Sequence, residues 1–522
     1  MQRPRLPRRA LITLGAVITA AALSITAPAA SFASPAPAPA PSKHFVDCSQ
    51  KQNGDGTQGR PWNSLHAVNA HGAFIPGDQI LLKRGMTCKG RLVPTGSGSK
   101  GHVILLGAYG STKAALPTVA GGGTGNVTGA VQLGNVHDWT VQDLHVTNAS
   151  KAKETPVYRS GVFIVNSGGG RLSGITVQRL RVDHVVSDLA FKGGYAREYG
   201  GIAVWSLGRK TGDGFVGLRL LNNTVDHVGR TGIAVVNHEY PRSADTGLRI
   251  SGNKVTWARG DSILLFGSKN ARIDHNVSAH GANLWPCKQC GKITPLTANA
   301  AIWPANSKGV LIDHNEVYGE HVKGGDGEGF DIDNSAVDVV VEYNYAHDNQ
   351  GGGILFCGST NAVARFNIFQ NNTKSAFAFI GSLPTKKRTS IYNNTVYNSS
   401  RSDARIVRYF NGAHSAPIVF KNNVLYNYSQ ATYSWPTKKV STAGNTLIGV
   451  HGAGRPTSAS TIWANPGLKN AGSGRTGFAS LKGYKPKHPS SFTRGVAIPS
   501  NVTVDIFGKR INPKHPPRGA AG

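Results

Sequence analysis

The chain contains few acidic residues, and four of them lie close together between positions 326 and 333. Aspartate and glutamate account for 27 of the 522 residues, yet Asp326, Glu328, Asp331 and Asp333 lie in this one segment. Two carboxyl groups are what the hydrolysis of a glycosidic bond needs, one as acid and one as base or nucleophile. Carboxylate oxygens also suit Ca²⁺, which a lyase can hold against a uronate. The cluster indicates one of these chemistries, with solvated acids on a strand face as the third interpretation.

Strand alternation predicts which of these side chains meet solvent. Phe330 and Ile332 are apolar and should face a core, so Asp331 and Asp333 should face outward, with Cβ atoms ~7 Å apart. Carboxyl separations of ~5–5.5 Å suit retention and ~6.5–9.5 Å suit inversion of the anomeric centre. We therefore predict Asp331 and Asp333 as the acid/base pair of a glycoside hydrolase, with Glu328 as a third carboxyl. The separation favours inversion, but rotation of the side chains leaves retention open.

Aromatic and charged residues near the same strand positions of other repeats are candidates for substrate binding. Aromatic faces stack on sugar rings, and apolar surroundings raise the pKa of a carboxyl group. In a lyase, Arg230 or Lys323 would remove the proton beside the uronate carboxylate. The four clustered acids, Asp326 first among them, would then hold calcium. The hydrolase needs no cofactor. Packing under loops is the alternative for the tryptophans, and ordinary surface charge is the alternative for the cations. The candidate substrate-binding residues are Trp205, Phe266, Trp303, His238, Arg230 and Lys323.

The element that must position these residues is a repeat marked by asparagine. The spacing from Asn423 to Asn445 is 22 residues, which is one bare coil of a solenoid and too short for a propeller blade. Asparagine tolerates left-handed backbone at a sharp bend, and amides stacked ~4.8 Å apart can form a hydrogen-bonded ladder. Leu144 and Leu180 hold the same position in two earlier coils. The predicted ladder is Asn223, Asn253, Asn276, Asn315, Asn344, Asn367, Asn394, Asn423 and Asn445.

A second series of short apolar strands precedes each asparagine and carries the acidic cluster. Such β-branched runs between glycine and asparagine are strand signals. Together the two series predict an all-β protein, a parallel β-helix of about ten to eleven coils with a short helix in its N-terminal cap at residues 61–68. Insertions at residues 192–199, 279–299 and 320–327 enter the second series from the same edge, so we expect them to form one wall beside the acids.

On these residues the chain resembles the pectin-lyase-like family of right-handed parallel β-helix proteins, over residues 44–450. The runs Phe-Val-Asp at 45–47, Pro-Trp at 61–62 and Pro-Gly-Asp-Gln-Ile at 76–80 are similar to the usual start of its secreted bacterial, carbohydrate-active members. Asp-Ile-Phe-Gly at 505–508 resembles their closing coil. The resemblance implies the fold and a carbohydrate-active protein. It does not fix the reaction, because hydrolases, lyases, epimerases and phage adhesins share this fold. The Gly-Asp-Asp, Gly-His-Gly and Arg-Ile-Lys signature of the polygalacturonase-type members is missing.

The N-terminal residues predict export. Arginines at positions 3, 5, 8 and 9 precede an apolar stretch and small residues, which is the pattern of a signal peptide, and alternating Pro and Ala follow as a stiff spacer. We therefore expect a secreted protein, with wall association as a further option and no transmembrane segment. The expected organisation is 1–33 signal peptide, 34–43 linker, 44–128 N-terminal cap and first coils, 129–450 parallel β-helix, and 451–522 closing segment and basic tail.

Charge and cysteines complete the expectations. A net charge of +30 attracts polyanions, so we expect an acidic polysaccharide as the partner of a monomeric enzyme, with a non-catalytic glycan binder as a further alternative. No nucleic-acid-binding motif is present. Cys48 and Cys88 flank the first folded segment and could form a disulfide after export, and Cys287 and Cys290 could form a local one. Cys357 is left over, and we expect it to pack as a small apolar residue.

Overall fold

The computed structural model describes residues 40–123, 127–149, 158–187, 197–208, 212–283, 299–322, 326–380, 387–399, 404–410, 416–465, 467–488 and 494–522. Parallel strands dominate them, stacked into three long sheets that form the faces of a β-helix. In each coil with a strand in sheet 3, the chain runs from sheet 3 to sheet 1 and then to sheet 2, around the corner that the asparagines occupy in the later coils. This is the predicted fold class.

The strands of the three long sheets are as follows. Sheet 1 contains Lys43–Val46, Gln79–Lys83, Ile104–Tyr109, Trp139–Gln142, Ile175–Gln178, Arg219–Leu221, Arg249–Ser251, Arg272–Asp274, Leu311–Asp313, Val340–Glu342, Val363–Arg365, Thr389–Tyr392, Ile418–Lys421 and Val440–Ala443. Sheet 2 contains Thr87–Lys89, Thr118–Ala120, His145–Asn148, Arg181–Val185, Thr224–Val228, Lys254–Ala258, Val277–Ala279, Glu316–Tyr318, Tyr345–His347, Ile368–Gln370, Thr395–Asn398, Val424–Asn427 and Thr446–Ile448. Sheet 3 contains Thr128–Gly134, Arg159–Asn166, Gly200–Ser206, Thr231–Asn237, Ile263–Phe266, Ala300–Ala305, Glu328–Ile332, Gly352–Cys357, Ser375–Ile380 and Arg405–Phe410.

Two small sheets and two short helices complete the described elements. One small sheet contains Arg171–Ser173, Gly214–Val216, Asp245–Thr246 and Ser268–Lys269, and the other pairs Ala73–Phe74 with Thr95–Gly96. The predicted capping helix is present at Leu65–Ala70, where the Ser64 hydroxyl accepts a hydrogen bond from the Ala67 N–H. A 3-10 helix spans Phe478–Tyr484.

The asparagine ladder exists as predicted and connects sheet 1 to sheet 2. From Asn223 to Asn445, each side-chain amide donates to the amide oxygen of the next asparagine at 2.9–3.3 Å. Leu144 and Leu180 precede the aligned strands of the two earlier coils. The left-handed residue, however, is the one before each asparagine, for example His314 at φ 54°. The ladder residue itself is therefore free to turn its amide inward.

The interior of the coils is apolar, and small residues face it where sheet 3 begins. Consecutive coils place a small residue there, among them Gly201, Gly232, Ala301, Gly329 and Gly353. A Cβ added to Gly329 would lie 2.6 Å from the Val317 side chain, inside the coil. The next residue in each of these strands also faces the core, so two successive residues point inward. This irregularity sets the register of sheet 3.

The two ends of the described chain also pack on the coils. Cys48 and Cys88 form the predicted disulfide, with Cα atoms 5.4 Å apart. Residues of the C-terminal segment, including Leu481 and Tyr484, are buried against side chains such as Tyr345 of the β-helix. Among the described residues, no helix is long and apolar enough to cross a membrane. The expected signal peptide at 1–33 and most of the linker at 34–43 lie outside the described residues.

Candidate active site

An open cleft of ≈ 440 Å³ lies on the outer face of sheet 3. It contains three of the four clustered acids, two aromatic side chains and a set of polar and apolar neighbours. The lining residues are Arg197, Phe266, Asn299, Ala300, Trp303, Ala305, Asn306, Asp326, Asp331, Asp333, Asn334, Leu355, Cys357 and Ile380. The sequence prediction that Asp331 and Asp333 lie beside aromatic residues of other coils therefore matches the geometry.

Strand register accounts for the direction of the acidic side chains. Phe330 and Ile332 are fully buried in the core, and Asp331 lies between them on the opposite face of the strand. Because both Gly329 and Phe330 point inward, the Glu328 side chain lies on the outer face. There its Cγ would be 3.3 Å from a Cβ added to Gly352 of the next strand. Glu328, Asp331 and Asp333 therefore share one face, although alternation alone would place Glu328 inside.

Asp331 and Asp333 differ in their surroundings. Asp331 is 8% exposed, and its Oδ1 atom is buried without a hydrogen-bond partner. Burial, followed by the charges of Asp333 and Glu328, raises the pKa of Asp331 well above its ordinary value. Burial also raises the pKa of Asp333, but this residue is half-buried, and its Oδ1 accepts a 2.7 Å hydrogen bond from the Asn334 N–H. Asp333 is therefore the better carrier of negative charge.

Asp326 and Glu328 complete the acidic cluster. Burial raises the pKa of Asp326 to about 6, and positive charges including Arg197 oppose this rise. Glu328 is fully buried, and burial together with the Asp326 charge raises its pKa to about 8. Its Oε1 lies 3.2 Å from the guanidinium of Arg408. Each of these carboxyl groups can hold a proton close to neutral pH.

A buried ion pair orients Trp303 beneath the cleft. The Trp303 indole N–H donates to Asp261 Oδ1 at 3.1 Å, and the Ala300 N–H reaches the same oxygen at 3.4 Å. The other oxygen of Asp261 lies 3.2 Å from Arg230. Both charged side chains are 0% exposed. The expectation that Arg230 holds an acidic sugar at the surface, or acts as a lyase base, is therefore wrong: its guanidinium is enclosed below the cleft.

The ends of all three predicted insertions meet at the cleft. Arg197, Asn299 and Asp326 each belong to a different insertion, and all three line it. The Arg197 guanidinium lies 5.1 Å from the centre of the Trp303 ring, a cation–π arrangement. This agrees with the expected wall, as far as the described residues of the insertions extend.

The remaining sequence candidates have separate places. Phe266 lines the cleft and contacts Trp303 edge to face, with ring centres 5.0 Å apart. Trp205 is only 1% exposed and lies outside the cleft, so packing is its role in the fold. His238 also lies outside the cleft and pairs with Glu198 at 2.7 Å. Lys323, Cys287 and Cys290 fall outside the described residues.

Arg408, which lies beside the acidic cluster, was not found from the sequence. Arg408 occupies the same outer column as Asp331, three coils further along the stack. Cys357, expected as a small packing residue, is buried and donates its thiol to Asp333. Aligning the strands by their inward residues places Cys357 in the outer column of the acids, and extending that alignment to the strand Arg405–Phe410 would have placed Arg408 there too. Within the described residues, no group of three or more His, Cys, Asp or Glu side chains could hold a metal ion, so the calcium role expected of Asp326 in a lyase lacks a ligand set there.

Comparison with known proteins supports the fold. Residues 209–396 match a family model described as a right-handed beta helix region. The chain has the right-handed parallel β-helix fold. It is similar to a lacto-N-biosidase of Bifidobacterium longum subsp. longum, with 26% identity over 471 residues, covering 73% of this chain and 28% of that protein. The chain thus spans less than a third of the length of that relative.

Two solved structures show the same architecture. The GH136 lacto-N-biosidase from Eubacterium ramulus is 23% identical, with a TM-score of 0.59 over 72% of this chain and 68% of that one. A complex of XylC with xylose is 11% identical, with a TM-score of 0.50 over 92% of this chain and 98% of that one. At these identities the solved structures establish the fold alone.

Proposed function

We propose that the chain is a secreted glycoside hydrolase that cleaves a glycan in the sheet 3 cleft. The single observation that carries this proposal is the set of three cleft-lining acids with different surroundings, Asp326, Asp331 and Asp333. Carboxyl groups whose environments separate their pKa values can act as acid and base. The similarity to lacto-N-biosidases adds support, and the Cys48–Cys88 disulfide fits an oxidising, extracellular compartment.

We assign roles from burial and hydrogen bonding. Asp333 is the ionised carboxylate, acting as base or nucleophile, because it is the more accessible acid and accepts hydrogen bonds that favour its charged form. Asp326 is the proton donor, because a catalytic acid works best with a pKa near the working pH and that of Asp326 is raised to about 6. Asp331, paired with Asp333 in the sequence prediction, holds its proton more tightly and serves as a buried neutral carboxyl beside the pair.

The charge of the cleft bears on the substrate. Net charge led to the expectation of an acidic polysaccharide, but the ionised Asp333 carboxylate acts beside the reacting sugar ring and repels an acidic group on that ring. We therefore propose that the sugar ring bound between Trp303 and Asp333 is neutral. Acidic groups elsewhere along the polymer remain compatible with the strongly basic chain.

A substrate screen tests the reaction class. The panel contains pectin, alginate, a glycosaminoglycan, arabinan and oligosaccharides that contain lacto-N-biose, the last suggested by the names of the relatives. A hydrolase releases new reducing ends without the ultraviolet absorbance of an unsaturated product. We expect such release from at least one neutral glycan, and we expect Asp333→Asn to abolish it.

Asp55→Asn is the matched control, because Asp55 is exposed in the N-terminal cap and should leave the rate unchanged. An unsaturated product would show that the protein is a lyase and not a hydrolase. Retention of a glycan on a column without cleavage would show that it is a binding protein and not an enzyme. Full activity of Asp333→Asn would show that the active site lies elsewhere.

A further inference from the structure

A carboxyl group with an unpaired oxygen lies in the floor of the cleft. The Oδ1 atom of Asp331 is buried and has no hydrogen-bond partner among the described residues, and the residue as a whole is 8% exposed. Buried polar atoms are nearly always hydrogen-bonded, because leaving water without gaining a new partner costs free energy. The part of Asp331 that remains exposed lines the cleft, so a molecule bound there can give this carboxyl group the partner that the protein does not.

Apolar side chains flank Asp331 along the stack of coils. Strand register places Trp303 of the preceding coil and Leu355 of the following coil next to it, all three pointing outward. Trp303 is 3% exposed, Leu355 is 1% exposed, and both line the cleft. Because its neighbours on both sides are apolar, the carboxyl group is poorly solvated, and ionising it is costly.

The charged groups around Asp331 also oppose its ionisation. Asp333 lies on the same strand face, and Glu328 and Asp326 lie at the start of the strand. Burial, followed by the charges of these three carboxyl groups, raises the pKa of Asp331 well above its ordinary value, and the Arg197 charge acts against this rise. The titratable and charged groups near Asp331 are Asp326, Glu328, Asp333, Cys357, Arg197 and Arg408.

We propose that Asp331 is a specificity-determining residue that recognises the bound sugar as a neutral carboxyl group. Its O–H donates a hydrogen bond to an uncharged oxygen of the sugar, and the proton stays on Asp331 throughout the reaction. A protonated carboxyl group has one O–H to donate, whereas an ionised one can only accept. A ligand without an oxygen at this position leaves the carboxyl group unpaired, and sites of this kind reject such ligands strongly.

This inference rests on the proposed function for the place of the sugar ring, between Trp303 and Asp333. It gives the three acids of the cleft separate tasks: Asp326 donates the proton, Asp333 carries the negative charge, and Asp331 binds. A carboxylic acid kept neutral by an apolar site so that it can donate a hydrogen bond is an established device of enzymes. Recognition by Asp331 can be measured as sugar binding, without any cleavage.

Asp331→Leu and Asp331→Asn separate recognition from folding. Leucine already occupies this outward position in other coils, as Leu264 and Leu355, so Asp331→Leu should fold. Its Tm should be no lower than that of wild type, because the change removes a buried polar atom without a partner. Asparagine keeps an uncharged donor of nearly the same shape, so Asp331→Asn should bind the sugar as wild type does.

Isothermal titration calorimetry with lacto-N-biose and with xylose measures the binding; the names of the similar proteins suggest both sugars. We expect wild type to bind at least one of them, and Asp331→Leu to bind that sugar about tenfold more weakly or worse. The Kd of wild type should rise as the pH is raised above neutrality and Asp331 loses its proton. The Kd of Asp331→Asn should rise less, and Asp55→Asn, changed at an exposed acid of the N-terminal cap, should match wild type.

Four results would overturn the inference: no binding of either sugar, equal Kd values for wild type and Asp331→Leu, the same pH dependence in wild type and Asp331→Asn, or a lowered Tm of Asp331→Leu, which would assign Asp331 a structural role. On a glycan that wild type cleaves, Asp331→Asn should keep a kcat close to that of wild type. Loss of kcat with unchanged Kd would place Asp331 in proton transfer and leave the hydrolase standing. Binding that depends on Asp331 in a protein that cleaves no glycan would contradict the proposed function and leave this inference standing.

Discussion

Replacing Asn315 by alanine should destabilise the β-helix strongly although the residue is remote from solvent and from the cleft. Its Nδ2 group donates to Asn344 Oδ1 at 3.0 Å and to the Ile273 carbonyl at 2.9 Å. Its Oδ1 atom accepts from the backbone N–H and the Nδ2 group of Asn276, both at 2.9 Å. Asn315 is 0% exposed, so water cannot replace these bonds.

The magnitude follows from the groups left unpaired. Alanine strands at least the Asn276 N–H and the Ile273 carbonyl in a dry interior, and each such group costs about 1–3 kcal/mol. The expected loss is about 2–6 kcal/mol, a large part of the ~5–15 kcal/mol that stabilises a typical protein. Because each coil contacts only its neighbours, the damage should be centred on the coils next to Asn315.

Urea unfolding followed by circular dichroism measures the effect, with Asn69→Ala as the control. Asn69 also makes two hydrogen bonds, donating to the Arg91 carbonyl at 2.9 Å and accepting from the Val93 N–H at 2.7 Å. It is exposed, however, so water substitutes and the loss should be about 1 kcal/mol or less. Equal losses from the two substitutions would refute the view that the buried ladder holds the coils together.

Three further outcomes follow from the site. Asp326, with a pKa near 6, must carry a proton, so kcat/KM should fall above about pH 6. Asp333 must be ionised, so kcat/KM should also fall at acid pH, where Asp333 becomes protonated. A flat pH profile would contradict these roles. Trp303→Phe removes the hydrogen bond from the indole N–H to Asp261 but keeps an aromatic ring. Thermal unfolding should show a loss of about 1–3 kcal/mol and steady-state kinetics a raised KM; unchanged values in both would show that this hydrogen bond does not orient the ring. Burial raises the pKa of Glu328 from 4.5 to about 8. Its protonated form therefore stabilises the fold fully below pH 4.5, and this stability is lost as the pH rises through 8, so Tm should decline over that range. Glu328→Gln should make the decline of Tm with pH shallower, and an identical decline would contradict the raised pKa of Glu328.

The repeat could be predicted because it depends on local chemistry that the sequence repeats. An asparagine before each strand of sheet 2 and an apolar pair in each strand of sheet 3 are enough to assign the coils and to turn Asp331 and Asp333 outward. The left-handed position was placed one residue late. Only the backbone shows that His314, rather than Asn315, makes the turn.

Two predictions about the site were wrong or incomplete. One failed where side chains do not alternate strictly along the strand, and the other failed where contacts between coils bury a charged residue. Glu328 lies on the outer face because two successive residues, Gly329 and Phe330, point inward. Strict alternation of side chains along a strand does not predict such a break. Arg230 looks like a surface charge in sequence, but Asp261, 31 residues away, pairs with it beneath Trp303. Such a pair is fixed by the stacking of coils, which depends on the lengths of the insertions between them.

The most direct test of the account compares two leaving groups in one enzyme. For a glycan that wild type cleaves, Asp326→Asn should lose about 10²–10⁴-fold in kcat, because an alcohol leaving group needs a proton. On the aryl glycoside of the same sugar, whose phenolate leaves unaided, Asp326→Asn should retain most of its activity and Asp333→Asn should have none. Equal losses of Asp326→Asn on both substrates, or that selective pattern in Asp331→Asn instead, would contradict the assignment of Asp326 as the acid.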